Sequence, residues 1–201
     1  MKLLQSDASP FVRKVRVTLH ETGQQDDVEM VKVTTTALNS DPRVLAANPT
    51  GRIPALERDD GPTLYDSRVI CRFLDDRAKA NLYPASRLWD VLTLEATGDG
   101  IMDSTVAMSY EMRLRPEDKQ FEDWIEAQWA KADRTMGALE NMWMGVLSGP
   151  VTMGHISVGC ALAYIDFRHG ARDWRAKHAT LAKWFEGFNA RPSMVATAPQ
   201  G

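Results

Sequence analysis

The pattern of apolar residues changes once along this chain, between residues 80 and 87. Before this point, apolar runs of strand length alternate with short helical patterns, and after it only long helical patterns follow. The segment 80–86 contains a proline and a serine that interrupt both patterns, which predicts a linker. We therefore expect an α/β domain over residues 1–79 and an all-α domain over residues 87–201.

The first part predicts the element order βαβαββα. Its strands are expected at residues 2–5, 28–33, 54–57 and 63–65, and its helices at residues 10–22, 41–47 and 67–77. The first helix has clear boundary signals, with Ser9 as the N-cap, Pro10 at the first helical position and Gly23 after the end. Its apolar side is formed by Phe11, Val12, Val15 and Leu19. Three basic residues are expected to face elsewhere, namely Arg13, Lys14 and Arg16.

The second part predicts four helices, at residues 87–112, 117–147, 152–168 and 178–189. The first of them could break near Gly98 and Gly100, since glycine is a poor helix former. The third is apolar on nearly every side, which predicts a central buried helix. The residues after the last helix are expected to be loose.

Composition excludes several classes of function. The net charge is −3 and the basic residues are scattered, so no nucleic-acid partner is indicated. No apolar run reaches the length of a membrane span, and the first residues do not have the pattern of a signal peptide, which predicts a cytoplasmic protein without membrane contact. Cys71 and Cys160 form no CxxC pair and are expected to be buried, and the four histidines form no metal-ligand cluster.

Ser9 opens the first helix in the segment Ser9-Pro10-Phe11-Val12. In a thioredoxin-like fold this place holds the redox sequence C-P-x-C. Here serine and valine replace the two cysteines, which excludes dithiol exchange at this site. A hydroxyl at a helix N-terminus, where free N–H groups favour an anion, can donate a hydrogen bond to a thiolate that a ligand supplies. The alternative is a plain N-cap serine.

The segment 48–56, Asn-Pro-Thr-Gly-Arg-Ile-Pro-Ala-Leu, leads a proline into a strand. Because Pro54 cannot donate to a strand ladder, this position suggests a cis Ile53–Pro54 bond, which would turn the N–H and C=O of Ile53 outward. Those groups could then pair with a bound peptide as an added strand. The alternative is an ordinary turn with a proline at the strand start.

Asp66 and Ser67 lie where the last predicted strand turns into a helix. Ser67 and the N–H groups that follow it form an anion site suited to an α-carboxylate. Asp66 can accept a hydrogen bond from a neighbouring α-ammonium group. The alternative is a capping serine beside an acid that the helix dipole favours.

Together the three segments resemble the glutathione transferase family. That family carries Ser, Tyr or Cys near the first helix, then N-P-x-G-x-[IV]-P-x-L, then [ED]-S at the start of a helix, and this chain has the same order and spacing. The runs 99–103 and 161–168 are similar to those of a small bacterial subgroup. The resemblance implies a thioredoxin-like N-terminal domain followed by an all-helical domain.

The resemblance also implies that glutathione is the co-substrate, with no metal, and that its thiolate attacks a small hydrophobic electrophile. Ser9 would be the catalytic residue, with Ser6 as the fallback. Six residues would bind glutathione, namely Phe11, Arg52, Ile53, Pro54, Asp66 and Ser67. Three residues are candidates for the electrophile's pocket, with plain helix packing as the alternative: Met108, Tyr110 and Met112.

A homodimer is implied as well. In it, Asp99 or Asp103 would reach the glutathione ammonium group across the dimer interface, although a solvated acidic face or a helix cap explains the same pair. The family has an aspartate at the fourth position of the box that caps the central helix, whereas this chain has Thr152 with His155. If the reciprocal hydrogen bond of that box is lost, about 1 kcal/mol of stability is expected to go with it.

Two other functions are compatible with parts of this pattern. A non-catalytic transferase-like protein, with a binding or regulatory role, is the main alternative, and the intact set of Ser9, Ile53-Pro54 and Asp66-Ser67 favours the enzyme. A cysteine-dependent thiol–disulfide oxidoreductase fails because neither cysteine lies at the start of the first helix.

Overall fold

The computed structural model describes residues 1–200 and shows two compact units. One consists of residues 1–85 together with the described residues from Pro192 onward, and the other of residues 86–191. The strands are β1 (Lys2–Gln5), β2 (Glu29–Lys32), β3 (Ala55–Arg58) and β4 (Gly61–Leu64). The helices are α1 (Pro10–Glu21), α2 (Pro42–Ala47), α3 (Ser67–Ala78), α4 (Leu88–Leu114), α5 (Glu122–Ala138), α6 (Met144–Leu147), α7 (Met153–His169), α8 (Trp174–Lys177), α9 (Ala179–Asn189) and α10 (Pro192–Ala196).

The N-terminal unit contains one four-stranded sheet in the order β2-β1-β3-β4. β1 pairs in parallel with β2 and antiparallel with β3, and β3 pairs antiparallel with β4. The predicted order βαβαββα and the thioredoxin-like fold are therefore confirmed. A core of Leu4, Val33, Val44, Ala47 and Ala55 lies against this sheet, with Val31 and Ile53 packed on it.

The boundaries of α1 agree with the prediction, but its burial does not. Ser9 is the N-cap, Pro10 follows it and Gly23 adopts a φ of +67° after the helix ends. Arg13 and Lys14, which were expected to face away from the apolar side, are only 4% and 0% exposed. The expectation was wrong because these long side chains lie within the packed unit instead of ending in water.

The end of the chain also differs from its prediction. The expectation of a loose tail is wrong as far as Thr197, which is fully buried like Met194. These residues were assigned to the all-α domain, but α10 packs on α1 in the N-terminal unit. A polar contact between side chains far apart in sequence, Arg13 to Thr197, accompanies this packing.

α4 runs unbroken through its two glycines, Gly98 and Gly100. A Cβ at Gly98 would lie 2.5 Å from Ser157 Oγ and 2.7 Å from the Ser157 carbonyl carbon, whereas a Cβ at Gly100 would meet nothing within 4 Å. Gly98 therefore permits the close approach of α4 to α7 and does not break the helix. The predicted helix over 117–147 is divided, since a π-helical turn over Leu139–Trp143 separates α5 from α6.

α7 is the predicted central helix, with nearly all of its residues buried. Its N-terminus keeps a capping box in which His155 replaces the usual acid: the backbone N–H of Thr152 donates to His155 Nδ1 at 3.1 Å. The reciprocal hydrogen bond is therefore retained, because an unprotonated imidazole nitrogen accepts as a carboxylate oxygen would.

None of the helices formed by residues 1–200 combines the length and the hydropathy that a membrane-spanning helix requires.

Candidate functional site

The registers of the sheet bring the three predicted segments to one end of it. Leu4 of β1 pairs with Ala55 of β3, and Leu56 of β3 pairs with Leu64 of β4. The residues that follow β1, precede β3 and follow β4 therefore leave the sheet at the same end. These are the loop to Ser9, the segment at Ile53 and the turn to Ser67, so sequence segments far apart in the chain meet there.

Ser9 lies in the loop after β1 and is half-buried. Its Oγ accepts a hydrogen bond from the backbone N–H of Val12 at 3.3 Å, and its own N–H donates to the Ser6 carbonyl at 3.1 Å. Ser9 is thus the N-cap of α1. Since the Oγ serves as an acceptor in this bond, its hydroxyl proton can still be donated to another group. The fallback residue, Ser6, is half-buried in the same loop.

Asn48 organises the turn that leads into β3. It is 2% exposed, and its amide donates to the Arg52 carbonyl at 2.8 Å while its Oδ1 accepts from the backbone N–H of Thr50 at 3.0 Å. Gly51 has a φ of +68°, and a Cβ there would lie 2.8 Å from Ser40 Oγ. Only glycine fits this turn without strain or displacement of a neighbour.

The Ile53–Pro54 bond is cis, as the sequence suggested. Ile53 is half-buried against the core, Pro54 is buried and the Arg52 side chain is exposed. Among the described residues, the strand registers of β3 begin at Ala55, so Ile53 lies outside the ladder.

Asp66 and Ser67 lie at the start of α3. Asp66 is the N-cap of this helix, and Ser67 is not, although the capping alternative assigns that role to the serine. The Asp66 Oδ1 accepts a hydrogen bond from the Arg68 backbone N–H at 3.0 Å. Asp66 is exposed and forms an ion pair with Arg68 at 3.1 Å, whereas Ser67 is only 2% exposed. Burial works to raise the pKa of the Asp66 carboxyl, but the hydrogen bonds and charge of Arg68 and the charge of Lys14 outweigh it and lower the pKa.

Lys14 is the site residue that sequence reasoning missed. It is fully buried on α1, the helix that packs on α3, and its positive charge acts on Asp66 at the start of α3. Lys14 shares a helix face with Thr18, four residues on, which is also fully buried. The sequence contains no signal for this, because both residues are polar and helical periodicity places them on the outer side.

The candidates in the helical unit have mixed surroundings. Met108 is fully buried, while Tyr110 is 39% and Met112 48% exposed. Asp99 is 5% exposed and accepts a hydrogen bond from Ser157 Oγ at 2.9 Å, whereas Asp103 is exposed. Asp103 is therefore the more accessible of the two to a group outside this chain. The role of Met108, Tyr110 and Met112 stays a prediction.

Neither cysteine is available for surface chemistry, as predicted. Cys71 and Cys160 are both buried, and the Thr18 hydroxyl lies 3.4 Å from Cys71 Sγ. Within residues 1–200, no group of three or more His, Cys, Asp or Glu side chains is arranged to hold a metal ion.

Two family models match the chain. The model of the glutathione S-transferase N-terminal domain matches residues 8–77, and that of the glutathione S-transferase C-terminal domain matches residues 122–187. The first match contains all three segments of the candidate site, and the second lies within the helical unit.

Known proteins match along the whole chain. The uncharacterized GST-like protein YibF of Escherichia coli is 32% identical over 99% of this chain and 98% of its own length. A glutathione transferase family member from Pseudomonas fluorescens Pf-5, solved with bound glutathione, is 43% identical with a TM-score of 0.96, over 100% of this chain and 99% of that one.

A second structure of a Pseudomonas fluorescens Pf-5 family member contains S-(propanoic acid)-glutathione. It is 42% identical, with a TM-score of 0.92 over 100% of both chains. The sequence identity over the full length, the two family models and the shared architecture agree, and the chain belongs to the glutathione S-transferase family.

Proposed function

We propose that this chain is a cytoplasmic glutathione S-transferase that binds glutathione as a co-substrate and joins its thiolate to a small hydrophobic electrophile. The observation that carries the proposal is the register of the sheet, which gathers Ser9, Ile53 and Ser67 at one end. The glutathione and the S-substituted glutathione held by the Pseudomonas fluorescens structures support it.

The start of α3 would hold the γ-glutamyl end of glutathione. Ser67 and the first N–H groups of this 12-residue helix favour a carboxylate, since they carry the positive end of the helix dipole. The Asp66 carboxyl, whose pKa is lowered further from its ordinary acidic value, is ionised at neutral pH, and it would accept from the α-ammonium group. The backbone of Ile53, which stands outside the ladder, would pair with the cysteinyl residue as an added strand, with Pro54, Arg52 and Phe11 beside it.

Ser9 would activate the thiol. A free thiol has a pKa of about 8.5, and lowering it by about two units requires roughly 2.7 kcal/mol of preferential stabilisation of the thiolate. A hydrogen bond from the Ser9 hydroxyl, together with the N-terminus of α1, supplies stabilisation of that order. Once the thiolate has formed, proximity to a bound electrophile provides the rest of the rate acceleration.

We also propose that the protein works as a homodimer, as its family resemblance implies. Large apolar side chains are exposed in both units: Tyr65 and Val69 in the first, Trp89 and Met142 in the second. Such surface is expected to be covered by a second copy. Light scattering at micromolar protein concentration should give twice the 22.5 kDa chain mass. A monomer mass would contradict the proposal.

Calorimetry with glutathione tests the function directly, followed by turnover with aryl halides, epoxides and peroxides. We expect micromolar to millimolar affinity and conjugation of at least one class of electrophile. The absence of heat and of a thermal shift at glutathione concentrations about tenfold above a millimolar Kd would exclude glutathione binding in the expected range. Binding without turnover of any electrophile would instead favour the non-catalytic, regulatory alternative.

A further inference from the structure

The end of the chain packs against the helix that Ser9 begins. α10 contacts α1, and Ser193, Met194 and Thr197 are 4%, 0% and 0% exposed. Residues with so little exposure belong to the interior of the N-terminal unit. In the sequence, the helical unit of residues 86–191 lies between this segment and the rest of the N-terminal unit.

Arg13 joins this C-terminal segment to the first turn of α1. Its guanidinium is buried and donates through Nη2 to the Met194 carbonyl at 2.9 Å, with Nε 3.5 Å from Thr197 Oγ1. Its backbone N–H donates to the Ser9 carbonyl at 3.0 Å. Arg13 therefore lies one helical turn from the proposed catalytic serine. Its side chain is held by the C-terminal segment and its backbone N–H by Ser9.

A second contact holds the other end of the same helix. Ser193 Oγ donates to Glu21 Oε1 at 2.5 Å, and Glu21 is the last residue of α1. Arg13 and Glu21 are about 12 Å apart along the helix axis, at 1.5 Å per residue. The C-terminal segment thus contacts α1 near its start and at its end, which opposes both sliding and tilting of the helix.

The segment also borders the loop that precedes Ser9. Ala196, Ala198 and Gln200 line a cavity of about 260 Å³ together with Asp7 and Arg16. Asp7 lies two residues before Ser9, and its carboxylate pairs with Arg16 of α1 at 3.1 Å. The C-terminal residues therefore border an ion pair that ties the Ser9 loop to α1.

We propose that residues 192–198 form a clamp that sets the position of Ser9, with Arg13 as the positioning residue that transmits it. This inference rests on the proposed function of Ser9 but concerns different residues. Thiolate stabilisation depends steeply on geometry, and a displacement of about 1 Å can cost about a hundredfold in rate. Without the clamp, the buried Arg13 guanidinium loses its acceptors, the Met194 carbonyl and Thr197 Oγ1. Because an unpaired buried charge is costly, the first turn of α1 must rearrange to give the guanidinium new partners or water.

Amide hydrogen exchange tests the clamp without any ligand. The variants are a chain that ends at Arg191, Arg13→Met and Arg13→Lys. The matched control is a chain that ends at Ala198, which removes Gln200 from the cavity but keeps every hydrogen bond of residues 192–198 to α1. We expect exchange in α1 to rise about tenfold or more in the shortened chain and in Arg13→Met, less in Arg13→Lys and not in the control, with β1 and β3 unchanged. If the shortened chain does not fold, the two Arg13 variants decide. Unchanged exchange of α1 in Arg13→Met would overturn the clamp.

The pKa of the bound glutathione thiol, read from thiolate absorbance, tests the consequence for Ser9. We expect Arg13→Met to lower the thiolate fraction at neutral pH about threefold while the Kd changes less, with partial rescue in Arg13→Lys. Faster exchange with an unchanged thiol pKa would show that the clamp stabilises α1 without positioning Ser9, and would contradict the proposal. If the wild type binds no glutathione, the proposed function fails, and hydrogen exchange alone still decides whether the clamp exists.

Discussion

His155 Nδ1 accepts a hydrogen bond from the backbone N–H of Thr152 at 3.1 Å and lies 2.9 Å from the Thr152 hydroxyl oxygen. The bond from the backbone N–H requires the neutral imidazole, because a protonated Nδ1 would be a donor. Burial lowers the pKa of His155 to about 4; the carbonyls of Val146 and Leu147 oppose this shift, and the charges of Arg87 and Arg191 add to it. The central helix α7 is therefore capped by a group that titrates.

This cap should make folding stability depend on pH. The unfolded chain binds the His155 proton near pH 6.5 and the folded chain only near pH 4, so the stabilisation is complete above the unfolded pKa and is lost as pH falls from 6.5 toward 4. We expect a loss of about 2 kcal/mol across this window, after allowance for partial solvent screening. His155→Asn keeps an acceptor at the same place but does not titrate.

Urea unfolding of the wild type and His155→Asn at several pH values measures this effect. Burial also lowers the pKa of His169, but that residue contributes equally to both proteins. The difference between their unfolding free energies should therefore change below about pH 6.5. Parallel curves would show that His155 does not control the acid sensitivity.

Asp66→Asn should weaken glutathione binding without weakening the helix. Asparagine caps a helix about as well as aspartate, so the N-terminus of α3 is retained. The negative charge that would pair with the α-ammonium group of glutathione is lost. We expect the affinity to fall about tenfold, or roughly 1.4 kcal/mol. Asp76→Asn is the matched control, since it removes an exposed charge of α3 that is paired with Lys79 at 2.9 Å. Equal losses in both variants would mean that net charge alone matters.

Two glycines of α4 should respond in opposite ways to alanine. Gly98→Ala places a Cβ 2.5 Å from Ser157 Oγ and is expected to destabilise the protein by about 1–3 kcal/mol, since α4 and α7 must separate. Gly100→Ala meets no atom within 4 Å and should stabilise by about 0.5–1 kcal/mol through helix propensity. Denaturant unfolding checks both, and stabilisation by both substitutions would contradict the close helix contact.

Local signals predicted much of the fold and of the candidate site. Ser9-Pro10 marks a helix start whatever the rest of the chain does, and Asp66-Ser67 does the same. Burial of Arg13 was missed because helical periodicity counts a charged residue as outward, whereas its partners come from the far end of the chain. No local pattern encodes such a contact. Gly98 likewise read as a breaker, since the approach of α7 is a property of the packed unit.

The pH dependence of turnover in the wild type and Ser9→Ala, with one electrophile, tests the central claim most directly. The substitution should cost about 1 kcal/mol of stability as a lost cap. It should lower turnover near pH 7 about tenfold, if the hydrogen bond contributes roughly 1.4 kcal/mol, and glutathione affinity should fall less. We predict that the deficit shrinks as pH rises past about 8.5, because the thiolate then forms without help. Superimposable pH profiles would contradict the account and leave Ser9 as a helix cap only.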